Sequence, residues 1–322
     1  MTHPGRAGGA AGAAGARALR AAAAWVLAAV LLGGGGRAGS APASWSLSVA
    51  PEEVGPGEFV AATLAGPALR GGPEGWSGEL AGQRFGFYPA GPDRAVALVA
   101  LAYHLRPGTY TLTVQGPGGE RAERAVKVHP RAYPLQRLTV PPSKEALVRP
   151  QDPATARRLQ QEQAAVDAAR ARSSPRPLWE GAFVWPLEGP LRITSEFGLI
   201  REINGRITER HSGLDLAAPA GTPVRAANAG QVVLARALLA TGNTVIVDHG
   251  WGLFTSYLHL RTMVVHEGQT VRKGQLLGEV GATGFATGPH LHWAAWLPGG
   301  FVDPRLLLEA ARWPPALSWS GN

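Results

Sequence analysis

Short runs of alternating apolar and polar residues, separated by turns rich in glycine and proline, recur along most of the chain. Residues 45–49, 95–99 and 109–114 are examples from its first half. Alternation with period two turns one side of a run to a core and the other to solvent, which is typical of antiparallel strands. The 322 residues include 43 glycines and 27 prolines, which end such runs in turns and do not suit long helices. The sequence therefore predicts a mostly β protein of about two domains.

The order of these patterns predicts three regions behind a leader. Residues 41–132 predict an accessory, Ig-like β-sandwich that carries no cluster of reactive side chains. Residues 133–178 predict a linker that is irregular up to 150 and then forms a helix from about 153 to 172, with Asp152 as N-cap and Pro153 in the first turn. Strand and turn signals return at 179–310 and predict a second antiparallel β domain, which a tail at 311–322 follows.

The first forty residues have the features of an export signal. Arg6, Arg17 and Arg20 precede an apolar run at 21–32, and small residues follow up to Ser40. Twelve apolar residues fall short of the ~20 that span a bilayer, which favours a signal peptide at 1–40 over a permanent anchor. We therefore expect the protein to be exported to the periplasm or cell envelope. A membrane anchor is expected only if the leader is uncleaved.

Charge and cysteine content exclude several functional classes. The net charge is +8, but the first forty residues supply four of these charges, and residues 179–322 carry eleven basic and eleven acidic side chains. A nucleic-acid surface needs basic residues clustered on a folded face, so no nucleic-acid partner is expected. The chain has no cysteine, which excludes disulfides, a thiol nucleophile and cysteine-ligated zinc. Any metal must be held by His, Asp or Glu.

Six of the nine histidines lie between positions 211 and 292. His211 and Asp215 are four residues apart, with a glycine between them, which favours one face of a strand over a helix. His290 and His292 also share a strand face. A catalytic zinc takes three His or carboxylate ligands and keeps a fourth position for water, and the remaining histidines, with His259, suit acid–base roles. Each pattern alone also fits ordinary structural histidines or a hydrogen-bonded surface pair.

Taken together, residues 183–308 resemble the lysostaphin/LytM-type zinc endopeptidases, which cut cell-wall peptides. The motifs include His-Ser-Gly-Leu-Asp at 211–215 and His-Leu-His at 290–292. The matching segments are 195–198 with Arg201, 211–215, 218–224, 229–230, 242–245, 257–260, 281–284 and 287–292. The resemblance implies a LytM-like antiparallel β domain of the duplicated hybrid motif type. Residues 45–140 are also similar to the β-sandwich that precedes this peptidase in some exported bacterial members.

The resemblance also implies roles for individual residues. His211, Asp215 and His292 would ligate one zinc ion per chain. His290 and His259 would flank the water and the scissile carbonyl, with His290 as the base and His259 steadying the oxyanion. Four further residues would contact the substrate or support the site: Arg201, Asn243, Tyr257 and Thr287.

The expected function is therefore that of an exported zinc metalloendopeptidase, with the peptide cross-links of bacterial peptidoglycan as substrate. Residues 204–210 lack the aromatic residue that some glycyl-glycine endopeptidases carry before the first ligand. This favours a direct cross-link, such as a D-alanyl bond to a diamino acid, over oligoglycine. Two alternatives remain open: a non-catalytic, wall-associated regulator or scaffold of other hydrolases, and a structural adhesin whose histidines are incidental.

Overall fold

A computed structural model describes residues 44–309 of the chain. The predicted signal peptide at 1–40 and tail at 311–322 lie outside these residues. The first nine strands are β1 (Ser46–Ala50), β2 (Glu53–Val54), β3 (Phe59–Ala65), β4 (Ser77–Leu80), β5 (Gln83–Gly86), β6 (Tyr88–Pro89), β7 (Arg94–Ala100), β8 (Gly108–Gln115) and β9 (Arg121–Val128). They form two sheets, of order β1-β3-β7-β6 and β2-β9-β8-β4-β5. The two sheets share one apolar core, with Val60 and Val99 contributed by one and Leu112 and Val126 by the other.

The sheet that contains β3 and β7 is buried on both of its faces. Residues 95–99 were predicted to alternate between core and solvent, and this prediction is wrong: all five are buried, as is Ala100 after them. Leu98 and Ala100 belong to a second core, which they share with the C-terminal region. A strand covered on both faces is apolar throughout, which explains the composition of β7.

The segment between the two β regions contains one strand and two helices: β10 (Leu135–Leu138), α1 (Pro142–Glu145) and α2 (Pro153–Arg170). Residues 133–150 were predicted to be irregular, but β10 pairs in parallel with a strand of the C-terminal region. Helix α2 lies where a helix was predicted at about 153–172, and the Asp152 carboxylate accepts hydrogen bonds from the amides of Ala154 and Thr155. None of the helices among residues 44–309 is long and apolar enough to cross a membrane.

The C-terminal region is an antiparallel β domain. Its strands are β11 (Arg192–Ser195), β12 (Ile200–Ile203), β13 (Arg206–Arg210), β14 (Leu214–Ala217), β15 (Pro223–Arg225), β16 (Gly230–Leu238), β17 (Gly242–Gly250), β18 (Leu253–Met263), β19 (Thr270–Val271), β20 (Leu276–Val280), β21 (His290–Leu297) and β22 (Gly300–Val302). A ten-stranded sheet has the path β11-β14-β21-β18-β17-β16-β19, with β15, β20 and β22 paired beside it. A separate three-stranded sheet has the order β10-β12-β13. The mostly β, antiparallel class predicted from the sequence is confirmed.

Candidate metal centre

Strands β14 and β21 place three of the predicted site residues side by side. They pair antiparallel, with Asp215 opposite His292 and Ala217 opposite His290. His290 and His292 are two residues apart on one strand and so present their imidazoles on the same face, as the sequence predicted. Backbone pairing alone therefore brings a carboxylate and two imidazoles together.

The turn between β13 and β14 supplies the third ligand candidate. His211 and Asp215 were predicted to share a face of one strand, and this is wrong: His211 follows the end of β13, whereas Asp215 lies within β14. The backbone of His211 bonds that of residues 198 and 199 and not a strand neighbour of β14. Gly213 allows the turn to pass against β21, because a Cβ there would lie 2.4 Å from the carbonyl oxygen of Trp293. The turn, not strand periodicity, brings His211 to Asp215.

The three side chains converge on one point. His211 Nε2, Asp215 Oδ1 and His292 Nδ1 form a triangle with all three sides equal to 2.9 Å. The side chains are nearly inaccessible, with exposures of 1%, 5% and 5% for the three residues. Among residues 44–309, these three form the group of His and acidic side chains that could hold a metal ion.

The hydrogen bonds around the triangle fit a bound cation. His211 Nδ1 donates to the carbonyl oxygen of Glu196 at 2.7 Å, because a carbonyl can only accept. In the neutral imidazole the lone pair is then on Nε2, which faces the lone pairs of Asp215 Oδ1. A proton could bridge only one side of the triangle, whereas a single cation would serve all three atoms. Tetrahedral ligands at 2.0–2.1 Å from zinc are separated by ~3.3 Å, which the observed triangle approaches.

The protonation states also suit metal binding. Burial acts to raise the pKa of Asp215, but the imidazoles of His211 and His292 outweigh it and hold that pKa well below its ordinary value. Burial lowers the pKa of His292 to about 4. The site therefore presents the carboxylate of Asp215 and the neutral imidazole of His292 near neutral pH, which are the forms of these groups that bind metals.

Arg201 holds the other oxygen of the ligand carboxylate. Its Nη2 donates to Asp215 Oδ2 at 2.8 Å, and its Nη1 lies 3.5 Å from Glu209 Oε1. Gln136, on β10, accepts from Arg201 Nε at 3.3 Å and donates to Ser195 Oγ at 3.0 Å. Arg201 was expected to support the site, and the structure places it there. Gln136 was missed, since its role depends on the parallel pairing of β10 with β12.

A β-bulge directs His259 into the site. Strand alternation would point His259 the same way as Tyr257, which is buried in the core. The register of β17 with β18 slips next to these residues, and His259 adopts a positive φ of 63°. Bulges and left-handed residues re-aim side chains at functional sites. The bulge places the ring of His259 4.9 Å from that of His290 and 6.1 Å from that of His292.

His259 and His290 both turn Nε2 towards the cleft and Nδ1 towards the backbone. Each donates its Nδ1 hydrogen to a backbone carbonyl oxygen, of Thr283 and Gly288 respectively, at 2.8 Å. His290 Nε2 then lies 3.6 Å from Asp215 Oδ1. Burial, with smaller contributions from the other imidazoles, lowers the pKa of His259 to about 3. Neutral His259 has its lone pair on Nε2, and the oxyanion role that the resemblance implies for it stays a prediction.

The remaining three predicted residues differ in their positions relative to the site. Tyr257 is fully buried, and its hydroxyl accepts from the amide of Ala227 at 2.8 Å, which makes it a core residue. Asn243 bonds the loop that carries Thr283, through its backbone amide, and so supports the partner of His259 indirectly. Thr287 is exposed on the wall of the cleft, next to His290.

The cleft above the metal centre has a volume of about 290 Å³. The chain from β10 to α2 borders the site: Leu138 lines this cleft, and Val148 lines a smaller pocket that contains His211 and His259. Lys144 Nζ donates to the carbonyl oxygen of Gly284, on the loop that precedes His290. Part of the predicted linker is therefore a wall of the site.

Three candidate ligands and two further imidazoles on an antiparallel sheet define a centre of the metal-dependent hydrolase type. Residues 209–304 match the family model described as peptidase family M23. A crystal structure of a putative peptidase M23 from Pseudomonas aeruginosa is 31% identical in sequence, with a TM-score of 0.56, over 79% of this chain and 94% of that chain. This chain belongs to peptidase family M23. The family expected from the motifs is thereby confirmed.

Two curated relatives match the C-terminal region. The peptidoglycan DD-endopeptidase ShyA of Vibrio cholerae is 40% identical over 121 residues, which are 37% of this chain and 28% of that protein. The DD-carboxypeptidase/endopeptidase Mpg of Neisseria meningitidis is 42% identical over 113 residues, or 35% of this chain and 26% of that protein. The alignments thus span little more than a quarter of each relative.

Proposed function

We propose that the protein is an exported zinc metalloendopeptidase that hydrolyses peptide cross-links of bacterial peptidoglycan. The triangle of His211, Asp215 and His292, with the imidazoles of His259 and His290 beside it, carries the proposal. Membership of family M23 and the endopeptidase names of its relatives support it. The leader predicted at 1–40 supports export to the periplasm or cell envelope.

Zinc is the metal that this donor set favours. Two imidazoles and one carboxylate are a common ligand set of catalytic zinc, and no cysteine is present to favour a softer ion. A zinc ion bound there would polarise the scissile carbonyl and lower the pKa of a water molecule. Arg201 fixes the orientation of the ligand carboxylate, since it holds the oxygen that faces away from the triangle.

The protein's own acid–base groups are His290 and His259. In its neutral form each holds a lone pair on Nε2, because its Nδ1 hydrogen is donated to a backbone carbonyl oxygen. His290 is less buried than His259 and lines the cleft beside Asp215, so we assign it the proton of the attacking water. The protonated imidazole can then return this proton to the leaving amine.

Digestion of purified peptidoglycan sacculi tests the proposal. The purified protein is incubated with sacculi, with zinc or with a chelator, and the released fragments are identified by mass spectrometry. We expect zinc-dependent loss of cross-linked dimers, and the new termini identify the bond, with a D-alanyl bond to a diamino acid as the expected one. His290→Ala is the matched control, because it should retain metal but release little product. Metal binding without cleavage of any cross-link would contradict the proposal and favour a non-catalytic regulator.

A further inference from the structure

A second groove leaves the metal centre and passes beneath α2. It has a volume of about 350 Å³ and shares His292, Ser212 and Arg210 with a smaller pocket that also contains His211 and His259. Val166 of α2 and Phe301 of β22 give it apolar walls. The predicted linker helix thus forms one side of a channel that begins at a candidate ligand.

Two arginines in the wall of this groove have unsatisfied donors. Arg210 packs over the rings of Tyr103 and Tyr133, at 5.8 and 5.2 Å, and its buried Nη1 has no hydrogen-bond partner among the described residues. Arg170 packs over the rings of Trp296 and Phe301, at 5.4 and 5.0 Å, and its buried Nε is likewise unpaired within residues 44–309. Buried donors without acceptors are uncommon and costly.

The acidic side chains of the groove are already paired elsewhere. Glu162 lies 2.9 Å from Arg158 and also accepts from the amide of Leu239 at 2.7 Å. Glu209 is paired with Arg201. Arg170 reaches the hydroxyl of a serine at 3.4 Å but no carboxylate, and burial lowers its pKa to about 10. Asp167, on the same helix, acts to raise the pKa of Arg170, but burial outweighs it. Within residues 44–309, the groove therefore presents two guanidinium groups with buried, unpaired N–H donors.

We propose that the groove beneath α2 is a subsite for a carboxylate-bearing part of the peptide substrate, held by Arg210 near the metal centre and by Arg170 further along. Guanidinium groups recognise carboxylates through paired N–H donors, and here they stand in an otherwise apolar channel that suits aliphatic peptide. Arg210 directly precedes the candidate ligand His211, so a carboxylate bound to it lies close to the reacting bond. The inference rests on the proposed peptidase function. It adds that the site selects a substrate with a negatively charged group close to the bond that is cut.

Binding of a soluble, uncross-linked muropeptide tests this subsite without any cleavage. A disaccharide tetrapeptide is acetylated at its free amine, and half of it is converted to the carboxamide form. Calorimetry with the zinc-loaded protein then gives the Kd of each form. We expect the acid form to bind about tenfold or more tightly, and Arg210→Gln and Arg170→Gln each to remove most of that preference. Arg157→Gln is the matched control, because Arg157 is exposed on the same helix and does not line the groove.

The outcomes separate the subsite from the proposed function. Equal affinity of the unsubstituted protein for both forms would overturn the subsite, as would an unchanged preference in folded Arg210→Gln. Since Arg170 also anchors α2, its variants are compared by Tm, and Arg170→Lys should keep part of the preference if charge is what matters. A preserved preference for the acid form together with no cleavage of sacculi would reject the peptidase and retain the subsite.

Discussion

The two β regions differ in what they bury. In the sandwich, the described residues bury only apolar side chains. All of the buried polar or charged side chains among residues 44–309 lie between Ser195 and Asp303. Burial of a polar group is unfavourable unless the group finds a hydrogen-bond partner. A core that is needed only for packing is therefore expected to contain apolar side chains alone. The contrast indicates that the core of the sandwich serves packing alone. The second region buries polar side chains around its site, although their burial costs free energy of folding.

Within the second region, buried histidines differ in whether they belong to the candidate metal centre. His249, on β17, is fully buried and donates to the carbonyl oxygen of Ala229 at 2.7 Å. Its Nε2 accepts from the hydroxyl of Thr255, which also bonds Tyr257. This network is closed and touches none of the ligand candidates. A buried histidine can therefore be structural or functional, and only its partners distinguish the two.

The largest effect is expected from loss of the ligand carboxylate. Asp215→Asn removes the negative charge that neutralises the cation, so we expect loss of bound zinc, measured by atomic absorption, and of detectable cleavage. Asp248→Asn is the control, since Asp248 is also buried but accepts from the hydroxyl of Ser173 and the amides of Ser174 and Gly250. That variant should keep its zinc. Equal loss of zinc from the two variants would show that Asp215 is no more important for zinc binding than another buried carboxylate.

A deletion in the sandwich should affect stability and leave chemistry intact. Leu112→Ala opens a cavity in the apolar core of the sandwich and should lower the free energy of unfolding by about 3 kcal/mol. Denaturant unfolding measures this, with Thr111→Ala on the exposed side of the same strand as the control. The kcat of the folded protein should not change. A large fall in kcat with an unchanged zinc content would contradict a purely packing role.

His290→Ala should separate metal binding from catalysis. The variant keeps all three ligand candidates, so zinc content should be unchanged, but the rate should fall by ~10²-fold because the proton acceptor is lost. Steady-state cleavage of cross-linked muropeptides measures kcat, and His266→Ala, at an exposed loop position, is the control. Full activity of zinc-loaded His290→Ala would transfer the role of base to His259.

The parts of the site that local spacing determines could be predicted from the sequence. His290 and His292 share a face because alternation along a strand requires it, and this pair needs no knowledge of the rest of the fold. His211 was correctly grouped with Asp215 but for the wrong reason, since a turn and not a strand joins them. Spacing is informative only where the backbone between two residues is regular.

The rest depends on contacts between residues far apart in sequence. The pairing of β10 with β12 involves positions 65 residues apart, and no local pattern at 133–150 signals it. The partners of Arg201 and the groove beneath α2 follow from that pairing and from the packing of α2 on β16.

The smallest effect concerns the structural histidine and is visible only as a function of pH. Burial lowers the pKa of His249 to about 4 in the folded protein, from an ordinary value of 6.5. The unfolded chain then binds the extra proton between these values, so the contribution of the neutral His249 is present above pH 6.5 and is lost as the pH falls towards 4. The loss is about 1 kcal/mol at pH 5.5, and His249→Gln should show a correspondingly flatter dependence of the free energy of unfolding on pH. Because the metal-centre histidines are common to both proteins, the difference between the two curves isolates His249. Identical curves would mean that the pKa of His249 is the same in the folded and unfolded protein, which would contradict the lowered pKa of the buried ring.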